Sequence, residues 1–279
     1  MERTVKKMPI KFSNKKSDGR KTLTSVSNIS YGQQGTSADM HKRQEKLINF
    51  ENPNSVPFSV VEAYKNIRVQ LTNILEKCGG KAIAISSPNA SEGKSTTAIN
   101  IAITLSQLNK KVVLIDTDIR RGTIHKRMKL DNEAGCMDIL SGRASFEQVV
   151  KHYNSYLDII TSGQIYSNTS ELFDSNEFDS LLDKLNKEYD YILIDTPPVN
   201  LVSDALVISK KCDGLIYVIR SKVTTYEALR KAVSSTEKLN VNLLGVIINA
   251  VDSNNSSYKY GKGGYYNKYR YYESYSKSN

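Results

Sequence analysis

Ser87-Pro88-Asn89-Ala90-Ser91-Glu92-Gly93-Lys94-Ser95-Thr96 is the stretch that decides the reading of this chain. It follows the apolar run Ala82–Ile85 and opens the helix-like run Thr97–Leu108. A strand, a turn carrying Gly-Lys-Ser and a helix start together form a phosphate-binding loop. Backbone N–H groups at such a helix start converge on one spot, and the helix dipole favours negative charge there. Gly93 lets the backbone approach a phosphate with no Cβ in the way. Lys94 is placed to reach the outer phosphates and the Ser95 hydroxyl to ligate Mg²⁺. Ser91, Glu92 and Thr96 complete the candidate nucleotide-binding stretch. The usual pattern G-x-x-x-x-G-K-[ST] has Gly where this chain has Pro88. The plain alternative is a polar strand-to-helix turn capped by Ser91.

Two further strand ends weigh against that alternative. Val112-Val113-Leu114-Ile115 reads as a buried parallel strand, and Asp116 and Asp118 sit just past it, followed by Arg120. Tyr191-Ile192-Leu193-Ile194 reads the same way and ends in Asp195-Thr196-Pro197-Pro198. Open α/β sheets bind ligands beyond the carboxyl ends of their strands. An Asp there is placed to hold Mg²⁺, directly or through a water. Any one of these alone reads equally as a carboxylate in a surface loop.

The three motifs together resemble the Walker A, Walker A′ and Walker B motifs of bacterial tyrosine kinases, P-loop proteins unrelated in fold to eukaryotic protein kinases. The tail adds to the resemblance. Tyr258, Tyr260, Tyr265, Tyr266, Tyr269, Tyr271, Tyr272 and Tyr275 crowd the last 22 residues, among Gly, Lys, Ser and Asn. In the family such a cluster is the autophosphorylation site. The resemblance covers roughly residues 55–279. It implies an α/β P-loop NTPase fold of the deviant Walker A, MinD/ParA-like superfamily, with ATP and Mg²⁺ as cofactors.

The resemblance also implies roles. Lys94 and Mg²⁺ would neutralise the γ-phosphate, with Ser95, Asp118 and Asp195 around the metal. Asp116 matches the carboxylate that orients or deprotonates the tyrosine hydroxyl. Lys94, Asp116, Asp118 and Asp195 are therefore the candidate catalytic set. Asn249 falls where related P-loop ATPases place an Asn near adenine; a polar strand-end turn is the other reading. Asp204 is either the counterpart of a family Asp or a helix N-cap. Arg120 either steers phosphate or forms a surface ion pair. Glu62, Lys65 and Arg68 resemble the family's Glu-x-x-Arg-x-x-Arg oligomerisation motif, with Lys in the middle place; a solvated helical face is the alternative.

Charge is unevenly placed. The net charge of 279 residues is +10. Residues 1–50 hold eleven Lys/Arg against four Asp/Glu, residues 253–279 five against one, and residues 51–252 come to −1. Basic ends suit an anionic membrane face or acidic partner; solvated ends with no partner are the equal alternative. Cys78, Cys136 and Cys212 show no C-x-x-C spacing, which argues against a disulfide framework or zinc site and suits a reducing compartment. No apolar run approaches about 18 residues.

Residues 1–50 read as a basic, disordered extension, 51–252 as the P-loop domain and 253–279 as a flexible tyrosine-rich tail. Phe58–Cys78 has apolar residues at three-to-four spacing and ends at Gly79-Gly80, which predicts a helix. Apolar strands at Ala82–Ile85, Val112–Ile115, Leu157–Ile160, Tyr191–Ile194, Leu215–Ile219 and Leu243–Ile248 alternate with helical runs at Thr97–Leu108, Glu177–Glu188 and Tyr226–Leu239. That order predicts a doubly wound, mainly parallel sheet.

The absence of membrane spans makes the chain resemble the family's split form. It implies a cytoplasmic kinase held at the inner face of the membrane by a membrane-anchored activator that supplies a cytoplasmic segment. A homo-oligomer, a cognate tyrosine phosphatase and a role in capsular or extracellular polysaccharide synthesis and export are implied with it. One rival is a partitioning or division-site ATPase acting as a switch on membrane or DNA. Such proteins carry an extra Lys where this chain has Asn89 and lack a tyrosine tail. A second rival is a non-catalytic nucleic-acid-binding protein with tyrosines stacked on bases; it leaves Lys94 and the three Asp without a purpose, and no specific nucleic acid is expected.

Overall fold

The computed structural model describes residues 25–30, 47–49, 56–164 and 169–251. The strands are β1 (Ser25–Ser30), β2 (Ala82–Ser86), β3 (Val112–Asp116), β4 (Lys151–Asn154), β5 (Leu157–Ile160), β6 (Tyr191–Asp195), β7 (Gly214–Arg220) and β8 (Leu243–Val251). Between them lie α1 (Phe58–Cys78), α2 (Lys94–Ser106), α3 (Ile124–Met128), α4 (Cys136–Leu140), α5 (Phe146–Val149), α6 (Thr169–Phe173), α7 (Asn176–Glu188), α8 (Asp204–Lys210) and α9 (Tyr226–Lys238). The strands form one sheet in the order β1-β8-β7-β2-β6-β3-β5-β4, parallel except for the β4–β5 pair.

Period-two alternation sorts the strand side chains into two cores. Ile83, Ile85, Val112, Leu114, Leu157, Ile159 and Leu193 pack on the face covered by α1 and α2. Val113, Ile115, Ile160, Ile192 and Ile194 pack on the opposite face with α4, α7 and α8. Ala84, Leu215 and Tyr217 extend that second face beneath α9. Helix α1 buries Val60, Tyr64, Ile67, Leu71 and Leu75, a single apolar stripe at helical spacing. It stops at Gly79, whose φ of 67° puts its N–H on the Leu75 carbonyl oxygen. The doubly wound parallel sheet and the six sequence-predicted strands are all present.

Three differences have local causes. Helix α2 begins at Lys94, three residues before the expected apolar run, because the loop backbone passes straight into helical geometry after Gly93. The expected disordered extension contains β1, which pairs in parallel with β8 although Ser-Val-Ser-Asn-Ile-Ser carries a weak apolar pattern. Strand β4 is polar and mostly exposed, so alternation could not announce it. The rest of residues 1–50, apart from 47–49, and the tyrosine tail at 253–279 lie outside the described residues.

Candidate active site

Strands β3, β6 and β2 are consecutive in the sheet, and their carboxyl ends bring the three motifs together. Ile85 is paired with Asp195, and Asp195 with Asp116. Asp195 and Asp116 therefore lie in succession on one side of β2, with β7 on the other. Asp116 and Asp195 are fully buried, and Asp118 is nearly so.

Lys94 joins these acids. Its Nζ lies 2.8 Å from Asp118 Oδ2. It also lies 3.4 Å from each oxygen of Asp195 and 3.3 Å from Ser95 Oγ. Burial pulls the ammonium pKa down, but Asp195, Asp118 and Asp116 outweigh it, so Lys94 stays charged and sits above its ordinary value. Burial and the neighbouring Asp195 carboxylate push Asp116 up to about 8. Burial raises Asp195 as well, against the opposing pull of Lys94 and a hydrogen bond from Ser95. Asp116 is held in place by backbone N–H groups. Asp118 donates to its Oδ1 at 3.1 Å and Ile124 to its Oδ2 at 3.2 Å. Gly122 is close behind; a Cβ there would sit 2.6 Å from Ser162 Oγ and 3.2 Å from Asp116 Oδ2.

The loop itself is braced from the far side of the sheet. Gly93 has φ of 97°, and a Cβ on it would fall 1.9 Å from Asn249 Nδ2. That amide, carried on β8, donates to the Glu92 carbonyl oxygen at 3.0 Å. The Glu92 side chain is almost completely buried. It accepts from the Asn89 N–H at 2.8 Å and from Thr224 Oγ1 at 2.6 Å. Burial raises its pKa. Arg220 donates to the Ser91 carbonyl oxygen at 3.3 Å. The Glu92 carboxylate is thus committed to shaping the loop, which leaves its backbone for a ligand. Ser91, at φ of 64°, is no N-cap; that place belongs to Gly93, with no side-chain cap bond. The first N–H groups of α2, on Lys94 and Ser95, have no intrahelical acceptor by helix geometry.

These features fit a Mg²⁺-bound nucleotide. Three clustered acids share one ammonium, and burial and mutual repulsion raise Asp116 and Asp195; a divalent cation would relieve that crowding of negative charge. Among the described residues no group of three His, Cys, Asp or Glu could hold a metal unaided. Oxygens from Ser95, one or two Asp, water and phosphate match the way Mg²⁺ is held.

The other candidates are placed elsewhere. Asn249 touches the loop, as described. Asp204 opens α8 as its first helical residue, not as an N-cap, and its carboxylate accepts from Ser170. Arg120 is exposed beyond β3. Glu62 and Lys65 pair with each other on α1 at 2.8 Å. Arg68 turns to its own chain and donates to the Thr104 carbonyl oxygen near the end of α2 at 2.7 Å. Thr224 and Arg220, which brace the loop, were missed; no local pattern marks a polar partner 132 residues from Glu92.

Residues 80–244 match the AAA domain family AAA_31. The chain is 35% identical over 221 residues to the tyrosine-protein kinase YwqD of Bacillus subtilis, covering 78% of this chain and 92% of that protein. This chain belongs to the bacterial tyrosine-kinase family. It is 33% identical to the putative tyrosine-protein kinase EpsB of Ralstonia solanacearum over 76% of its own length but only 28% of that relative's. The kinase domain of Escherichia coli tyrosine kinase ETK superposes with a TM-score of 0.71 at 28% identity, covering 86% of this chain and 95% of that one. The three strand-end motifs of this family member thus stand on the fold that its relatives share. No helix among the described residues is long and apolar enough to cross a membrane.

Proposed function

We propose that this chain is a protein tyrosine kinase that transfers the γ-phosphoryl group of ATP to tyrosine hydroxyls, those of its own C-terminal cluster among them. The observation that carries the reading is the Lys94 ammonium, buried between Asp118 and Asp195 at the start of α2 with the Asp116 carboxyl behind it. Residues 91–96 and Asn249 would hold the nucleotide, and Ser95 with Asp118 and Asp195 the Mg²⁺. When bound, Mg²⁺ and ATP supply charge neutralisation and the phosphoryl group. Lys94 places one positive charge where negative charge gathers in the transition state. Asp116 is the proton acceptor for the incoming tyrosine hydroxyl. Tyrosine has a pKa near 10, and a carboxyl raised to about 8 is a stronger base than an ordinary Asp.

The tail sequence supports transfer between subunits, because a Gly/Ser/Asn/Lys-rich segment can span to a neighbour's site. Phosphorylation would add roughly −1.5 to −2 charge per tyrosine and offset the tail's basic charge. In this reading, the family resemblance supplies a homo-oligomer that uses Glu62, Lys65 and Arg68. It also supplies a membrane-anchored activator, a phosphatase and a place in polysaccharide synthesis or export at the membrane's inner face. The test mixes full-length Lys94→Met chain with an active chain lacking residues 253–279, in labelled ATP and Mg²⁺. Phosphotyrosine should appear on the Lys94→Met chain and vanish when its eight tail tyrosines are Phe. No phosphotyrosine from wild-type chain, alone or with an activator segment, rejects the kinase reading.

A further inference from the structure

Strand β8 is the carrier of Asn249, and its outer edge is covered by β1. The pairing runs Ser25 to Gly245, Val26 to Val246, Ser27 to Ile247 and Asn28 to Ile248, then resumes at Ser30 opposite Val251. Two steps along β1 thus match three along β8. The extra residue lies at Asn249–Ala250, where Ala250 has φ of 55°. The bulge follows directly on the residue whose side-chain amide touches Glu92 and lies against Gly93. A non-glycine residue in left-handed geometry persists only when its surroundings hold it. One hold is β7, since Ser221 donates to the Asn249 carbonyl oxygen at 2.9 Å. Another is the Asn249 side chain itself, whose Oδ1 accepts from the Ala250 N–H at 2.8 Å, and a third is β1, which pairs on both sides of the bulge.

We propose that the edge of β8 is a strand-acceptor site, occupied by this chain's own residues Ser25–Ser30, and that its occupancy sets nucleotide affinity through the Asn249 bulge. An edge strand with unpaired N–H and C=O groups is a template for an added strand, and main-chain hydrogen bonds supply most of the affinity. β1 follows that mode in its parallel main-chain ladder with β8. The sheet edge and the phosphate loop are thereby coupled over one residue, with no rearrangement of the core. The coupling rests on the nucleotide-binding reading of the loop; the docking does not.

The test uses the full-length chain with Ser27→Pro and Asn28→Pro together. An edge strand turns alternate N–H groups toward its neighbour, so two adjacent prolines remove one ladder donor whichever set faces β8. Hydrogen exchange is read at the amides of β8, and Mg²⁺·ADP affinity by calorimetry. We expect β8 amides to exchange at least about tenfold faster and the ADP dissociation constant to rise about threefold to tenfold, the effect of losing about one hydrogen bond. A synthetic peptide of residues 22–33 should restore both. Asn249→Ala should weaken ADP by a similar factor and make the proline pair silent on affinity. Unchanged β8 exchange overturns the docking. Faster exchange with unchanged ADP affinity overturns the coupling, as does failure of the peptide to restore affinity. If wild-type chain binds no Mg²⁺·ADP, alone or with an activator segment, the kinase reading and the coupling fall together, while exchange still decides the docking.

Discussion

Replacing Lys94 by Met should remove activity and make stability strongly dependent on pH. The ammonium is within 2.8–3.4 Å of carboxylate oxygens on Asp118 and Asp195. Those acids and Asp116 are buried. Methionine fills similar volume but leaves the carboxylates without a counter-charge. Breaking a buried ion pair from one side costs about 3–5 kcal/mol. For a domain of about 200 residues that corresponds to a fall in Tm of about 10 °C. The pH sense follows from the acids. Asp116 and Asp195 already have folded-state pKa values above their ordinary ones, Asp116 at about 8. Such groups stabilise the fold below their unfolded pKa and lose that contribution as pH rises through the folded value. Loss of Lys94 raises their folded values further, so the variant's deficit grows as pH rises through about 8 and is larger at pH 8.5 than at pH 5.5. Calorimetric scans of wild type and Lys94→Met across that window measure it. Phosphotyrosine formation, assayed well below the variant's Tm, should fall ~10²-fold or more. A deficit that is equal at both pH values, or larger at pH 5.5, refutes the account of the charge cluster. Unchanged phosphotyrosine refutes the role of Lys94.

Two other outcomes are expected. For Asp116→Asn, kcat should drop at least about 10²-fold with nucleotide affinity largely kept. The wild-type kcat/KM should rise with pH toward a limb near the Asp116 value of about 8, and that limb should be missing in the variant's pH profile. For Gly93→Ala, the new Cβ collides with the Asn249 amide at 1.9 Å in a backbone region that disfavours L side chains; Mg²⁺·ADP affinity by calorimetry should fall at least about tenfold, and adding Asn249→Ala should not restore it, because the φ strain remains.

Most of the sheet was legible in the chain because burial writes local patterns. Ala82–Ile85, Val112–Ile115 and Tyr191–Ile194 are apolar because both faces of a parallel strand are covered, and α1 shows its stripe for the same reason. Gly93, Lys94, Ser95, Asp116, Asp118 and Asp195 were legible as well, since each lies at a fixed offset from a strand end. What no local pattern holds is strand order. Only the succession β2, β6, β3 puts Asp195 beside Asp116, and burial, then that adjacency, raises the Asp116 pKa, with Asp118 adding to it. The same limit hid the polar braces. Thr224 reaches Glu92 across 132 residues, and Asn249, named from its strand-end place alone, reaches the Glu92 carbonyl oxygen across 157, each through one hydrogen bond that leaves no periodic trace. Arg68 read from the sequence as one member of a charged helical row; the packing of α1 on α2 turned it to the Thr104 carbonyl oxygen. Strand β1 was unreadable because Ser-Val-Ser-Asn-Ile-Ser carries only a weak apolar pattern, and its place is set by parallel pairing with β8, a partner far along the chain. Local order along the chain settles which chemical groups stand at which strand ends. Tertiary pairing alone decided which of them share one buried charge cluster, because charge coupling depends on distance and burial, not on order along the chain.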